Sequence, residues 1–272
     1  MKRALLQIKT LAKKHKAVVL CAGDLFDKAI VSPELINWAL DNMPHVYGVA
    51  GQHDLPTHRS DQKHRSAWGT LVRAGKITEL GEKPIGIDFL TLYGRPFDGK
   101  TPRRRPHHCD GLGMKHVLVT HEYIWKKDHG YTGAPDERRV RKLARRFKSF
   151  DVVHVGDNHK GFLHRLKNGT WILNTGTLLR RKSDEADYEP RVGLIWRSGN
   201  VTLHYLNTRR DVITPTDPVE ERAEEDEEIS EFIEELGRLE PSTLSFRETL
   251  LRVLDRKKVR KLVREKILEA LE

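Results

Sequence analysis

Four short apolar runs, each followed within two residues by glycine or threonine and then by acids, imidazoles or amides, constrain this chain more than any other feature. Ala17–Cys21 leads into Gly23-Asp24-Leu25-Phe26-Asp27, and Val46–Val49 into Gly51-Gln52-His53-Asp54. His116–Val119 leads into Thr120-His121-Glu122, and Asp151–Val155 into Gly156-Asp157-Asn158-His159. Runs of this length bounded by turn residues read as buried strands. Helical spacing lies between them: Leu5, Ile8, Leu11 and Ala12 within 2–15, Pro33 opening a helix that continues over Glu34–Leu40, residues 62–74, and a very basic stretch over Asp136–Phe147. Later strands at Phe162–Leu166, Thr170–Leu173, Val192–Trp196 and Val201–Leu206 alternate with turns such as Asn168-Gly169 and Gly199-Asn200. The order predicts an α/β fold with an antiparallel part after it. In open α/β sheets ligands bind beyond the carboxyl ends of the strands, and four such ends here carry groups able to share one centre. Convergent carboxylate, amide and imidazole groups suit a divalent metal, and a mixed oxygen and nitrogen set suits manganese, iron or zinc.

Charge narrows the partner. The 272 residues carry a net +10, but residues 217–240 hold 12 acidic and 2 basic residues and 245–272 hold 9 basic and 5 acidic, so the first 216 residues carry +16. A body this basic points to a polyanion, most often nucleic acid. Clusters sit at Arg103, Arg104 and Arg105, along the basic stretch, and at Arg180, Arg181 and Lys182, the last just beyond the final polar loop. Such side chains hold phosphates without reading sequence. Two cysteines exclude a disulfide scaffold, no apolar run approaches the ~18 residues of a membrane span, and Met1-Lys2-Arg3 opens no signal peptide. The expectation is a cytoplasmic protein without membrane attachment. Pro215 and Pro218 mark residues 211–219 as a linker between a body of 1–210 and a helical extension of 220–272 with an acidic and a basic helix.

The ordered motifs of residues 17–206 resemble the calcineurin-like metallophosphoesterase superfamily, and within it the DNA-repair exonucleases of the SbcD type, phage-encoded versions included. Gly23-Asp24-Leu25-Phe26-Asp27, Thr120-His121-Glu122 and Asn174-Thr175-Gly176-Thr177 carry that closer likeness. The resemblance implies a four-layer α/β/β/α metallophosphoesterase sandwich with a small helical C-terminal extension. It also implies two divalent ions, manganese by preference. Asp24 would bridge them; Gln52, His121 and Asp157 would serve the second and His159 the first. Gln52 stands where the family has Asn, and Asp157 where it has His. His53 would protonate the leaving oxygen with Asp54 orienting it, while a metal-activated water attacks phosphorus. The resemblance further implies DNA as substrate and an SbcC-like ATPase subunit docking on 220–272; a second copy of the chain is a further candidate partner. If the chain is phage-encoded, its compartment is the host cytoplasm.

One family motif, an Asp-x-His on a strand ahead of residues 2–15, has no counterpart before Gly23. A start codon set too far downstream or a fragment, a separate upstream piece, or a degenerate member with one ion or none would each account for it. Two rival readings follow: a non-catalytic scaffold binding DNA and a partner, and a phosphoesterase acting on small substrates.

Overall fold

The computed structural model describes residues 1–102, 113–127, 130–131, 134–180, 185 and 187–211. All lie in the first of two compact units, Met1–Val212. Arg103, Arg104, Arg105, Arg181, Lys182, the linker beyond Asp211 and the extension over 220–272 lie outside the described residues.

The chain opens with α1 (Lys2–His15), β1 (Val19–Cys21), α2 (Pro33–Asn42), β2 (Val46–Gly48), α3 (Ala67–Arg73) and β3 (Ile77–Glu79). β1, β2 and β3 form a parallel sheet in that order. Local chemistry sets the helix ends. Ser32 accepts from the Leu35 N–H and Pro33 occupies the first turn of α2, where its missing N–H costs nothing. The sequence predicts one helix over 62–74, but the structure breaks it. Ser66 caps α3 by accepting from the Gly69 N–H, and Ser60–Arg65 coils as a 3₁₀ turn instead. β3 has no expectation in the sequence; at three residues it is too short to show periodicity.

A six-stranded sheet follows, built from β4 (Ile85–Ile87), β5 (Leu90–Arg95), β6 (Lys115–Thr120), β7 (Val152–Val155), β8 (Phe162–Arg165) and β9 (Trp171–Asn174) in the order β4-β5-β6-β7-β9-β8. Its inner four strands β5, β6, β7 and β9 are parallel, and β4 and β8 pair antiparallel at the edges. β10 (Arg191–Ile195) and β11 (Val201–Tyr205) form a separate antiparallel hairpin.

Three apolar clusters hold these layers together. Val49, Leu92, Val117, Val119, Val152 and Val201 fill the space between the six-stranded sheet and the two smaller ones. Trp68, Ala39, Leu71 and Ile77 seat α2 and α3 on β1–β3. Tyr93, Leu118, Phe147, Val153 and Ile172 fill the far face of the large sheet. The six-stranded sheet backs onto the two smaller ones, and α2 and α3 cover β1–β3 outside, which agrees with the expected layered α/β sandwich.

The covering of that far face differs from expectation. Asp136–Phe147 predicts a basic helix; the structure has two short 3₁₀ turns, Asp136–Arg138 and Val140–Lys142. The cause is a competing backbone partner. Trp125 N–H donates to the Arg138 carbonyl and the Val140 N–H donates to the Trp125 carbonyl, so groups a helix would need are spent on a bridge to Trp125. Seven basic residues within 138–148 also repel one another at helical spacing.

Candidate metal centre

The strand ends of two different sheets meet here. β1 and β2 deliver the 23–27 and 51–54 loops, and β6 and β7 deliver the 121–122 and 156–159 loops. Glycines make the approach close enough. Gly23 has φ +92°, and a Cβ on it would stand 2.5 Å from His121 Nδ1; a Cβ on Gly51 would overlap the Asp24 carboxylate. Asp24 and Asp157 themselves sit in the left-handed region at φ 53° and 68°. Non-glycine residues held there cost of order 1 kcal/mol each, and such strain concentrates at functional sites.

His121 is the hub. Its Nδ1 lies 2.6 Å from the Ala22 carbonyl oxygen, which can only accept, so the proton sits on Nδ1. Nε2 then faces Gln52 Oε1 at 2.6 Å and Asp24 Oδ2 at 3.3 Å. The Gln52 amide is turned this way because its NH₂ donates to Asp157 Oδ1 at 3.2 Å. Four expected metal ligands, Asp24, Gln52, His121 and Asp157, are thus joined in one chain of contacts across both sheets. Burial works against a charged His121, but Asp24 outweighs it and raises the imidazole above its ordinary range. Burial likewise pushes Asp24 up, while the His121 contact and the His53 N–H bring it below the usual carboxylate range.

Those atoms test the fit of a metal. His121 Nε2 faces an amide oxygen and a carboxylate oxygen, so a proton or a divalent cation can sit among the three, and with the ring neutral they are a mixed nitrogen and oxygen donor set for such a cation. Among the described residues no three His, Cys, Asp or Glu side chains form such a group by themselves. The Gln52 carbonyl completes the set, so these residues fit one ion. The other half of the expected two-ion centre does not converge in the same way. His159 Nδ1 lies 2.7 Å from Glu185 Oε1, and no hydrogen bond or ion pair among the described residues joins it to Asp24.

His53 is exposed at the rim, its backbone N–H held by Asp24 Oδ1 at 3.0 Å. Asp54 is 1% exposed and ties loops rather than rings. Its Oδ2 accepts from the Gly51 N–H at 2.9 Å and its Oδ1 from Leu25 and Phe26 N–H at 3.0 and 3.4 Å. Burial pushes its carboxyl up to about 6. Arg180 lies against Asp211 at 3.6 Å with a largely buried side chain.

Three supports escape the motif reading. Asn174 donates to the Asn158 carbonyl at 2.9 Å and accepts from the Gly176 N–H, stiffening the β7 loop. Glu185 stands behind His159. Glu122, 7% exposed, binds Arg95 at 2.5 Å and Arg146 at 2.6 and 2.7 Å. Asn174 and Glu122 lie in segments the sequence marks out; Glu185 has no signal, because only folding brings it to His159.

Residues 2–161 match the model of the calcineurin-like phosphoesterase family, over half of the chain. No curated protein matches it. A solved structure of the hypothetical protein PH1004 from Pyrococcus horikoshii OT3 is 12% identical, with 83% of this chain and 89% of that one covered at a TM-score of 0.40. A second solved chain is 14% identical, covering 76% and 84% at 0.36. Neither likeness carries an argument about function.

Proposed function

The chain belongs to the calcineurin-like phosphoesterase family, whose members hydrolyse phosphate esters with divalent metals, and from that premise we propose a metal-dependent phosphodiesterase acting on DNA, of the SbcD-like exonuclease type. The observation that carries the reading is the contact chain Asp24–His121–Gln52–Asp157 across two sheets, with exposed His53 beside it. These four side chains would hold the ion. When bound, it supplies positive charge for the phosphoryl oxygens and a water acidic enough to attack at neutral pH. His53 gives a proton to the departing sugar oxygen. Its backbone hydrogen bond to Asp24 holds the 51–54 loop against the ion's ligand. Asp54 keeps the two loops in register from below. DNA is supported by the +16 carried on the first 216 residues, more than a small phosphodiester needs. Residues 220–272 are the proposed docking segment for an SbcC-like ATPase subunit, a proposal resting on the resemblance alone.

The rival reading is a non-catalytic scaffold: among the described residues no hydrogen bond or ion pair joins His159, which meets Glu185 through Nδ1, to Asp24. Cleavage of linear DNA with manganese separates the readings. The chain should cleave, and Asp24→Asn should lower the rate about 100-fold or more. Equal cleavage by both would overturn the site, and no cleavage by the folded chain would leave the scaffold.

A further inference from the structure

The loop after β5 brings two kinds of group to the edge of the candidate metal centre. Arg95, the last residue of β5, pairs in register with Thr120 of β6, and its carbonyl accepts from the His121 N–H at 3.1 Å. Arg95 therefore stands at the strand end next to the one that carries His121. Its guanidinium is fastened on three sides, by Gly99 O at 2.8 Å, Thr120 Oγ1 at 3.4 Å and Glu122 Oε2 at 2.5 Å. Arg146 reaches the same carboxylate with both terminal nitrogens. Two guanidinium groups share one buried carboxylate, which leaves a net positive charge held in a fixed orientation. Burial, and the nearby charges of Arg146 and Arg138, outweigh Glu122 and bring the Arg95 guanidinium below its ordinary value. That crowding of three arginines is what an anion would relieve.

Two residues further on lies Phe97. Its N–H donates to the Ala50 carbonyl at 3.1 Å, which ties it to the loop bearing Gln52 and His53. The ring is 38% exposed, a costly place for a large apolar side chain. It lies 6.4 Å from the His121 ring and 6.2 Å from His58, whose ring is 6.3 Å from His53. An exposed ring thus lies beside the hub ligand, is linked to the candidate general acid through His58, and follows Arg95 by two residues in the chain.

We propose that Phe97 and the Arg95–Arg146 pair form a nucleotide subsite beside the metal centre, the ring stacking one unpaired base and the guanidinium pair taking a backbone phosphate. This rests on the phosphodiesterase reading for its location and sharpens the substrate class to a strand with accessible bases. Stacking suits an enzyme without sequence preference, since every base has a π-face. Two arginines held in fixed orientation by one carboxylate suit a phosphate whose position must be set by charge.

The test is binding, measured by fluorescence anisotropy with a chelator present so that cleavage does not enter. The probes are a labelled single-stranded oligodeoxynucleotide and an abasic strand of the same length. The full chain should prefer the base-bearing strand. Phe97→Ala should weaken that binding about fivefold or more, the worth of one stacked base, and leave the abasic strand unchanged, so the preference shrinks. Arg146→Gln should weaken both strands. Arg197→Gln is the charge control: its ion pair with Asp88, two residues ahead of β5, lies at the opposite end of that strand, and it should change neither. Phe97→Ala with the preference intact, or Arg197→Gln as damaging as Arg146→Gln, would overturn the subsite. Because no turnover is read, failure here is distinct from failure of the manganese cleavage assay.

Discussion

Individual residues in this protein carry charge states that oppose one another with pH. His154 lies in β7, and strand alternation puts it with Val152 on the face between the sheets. Burial takes water from its imidazolium and lowers its pKa from 6.5 to about 4. Between those values the unfolded chain binds a proton that the folded chain refuses. The stability held by neutral His154 is therefore full above pH 6.5 and falls as pH drops through that window, by about 3 kcal/mol in all. Asp54 acts the other way: burial raises its carboxyl from 3.8 to about 6, so the folded chain takes up its proton first and gains stability as pH falls below 6. The two effects partly cancel in the parent, so the variant isolates one of them. His154→Leu should lose less melting temperature between pH 7 and pH 5 than the parent does. Parallel losses would show that His154 titrates normally.

At the scale of elements, packing is uneven in a way that predicts dynamics. β6 and β7 are buried along nearly their whole length, and their residues enter two apolar clusters. β1 is half-buried at every position and, among the described residues, pairs only with β2. α1 has no fully buried residue, although Leu5, Ile8 and Leu11 give it an apolar face. β10, too, is only half-buried throughout. Local opening needs less free energy where fewer apolar contacts are lost. Amides of α1, β1 and β10 should therefore exchange with solvent well before those of β6 and β7. Equal protection across all five elements would show that α1 and β1 are packed as firmly as the centre.

At the scale of the whole molecule, charge and layer order act together. The +16 over the first 216 residues is spread along sequence, yet folding concentrates Arg95, Arg138 and Arg146 near one strand-end row. Each phosphate neutralised releases a counterion. Affinity for DNA should accordingly fall steeply and linearly on a double-logarithmic plot against salt; a flat response would mean that phosphate contacts contribute little. The parallel strands were legible because buried parallel strands are continuous apolar runs and Gly-polar loops punctuate them. The periodicity of 136–147 predicts a helix because it says nothing of Trp125, whose backbone takes the hydrogen bonds. β3 escaped because three residues carry no pattern.

By itself the sequence determined which residues could carry chemistry: Asp24, Gln52, His53, His121 and Asp157 each follow an apolar run, and strand periodicity is local. Tertiary structure alone decided what each one meets. Asp54 holds backbone N–H groups instead of a ring, His159 meets Glu185, and Glu122 gathers two arginines. These partners lie 3 to 29 residues away in sequence. A side chain's hydrogen-bond partner is settled by how loops at neighbouring strand ends meet, and no local pattern encodes that meeting.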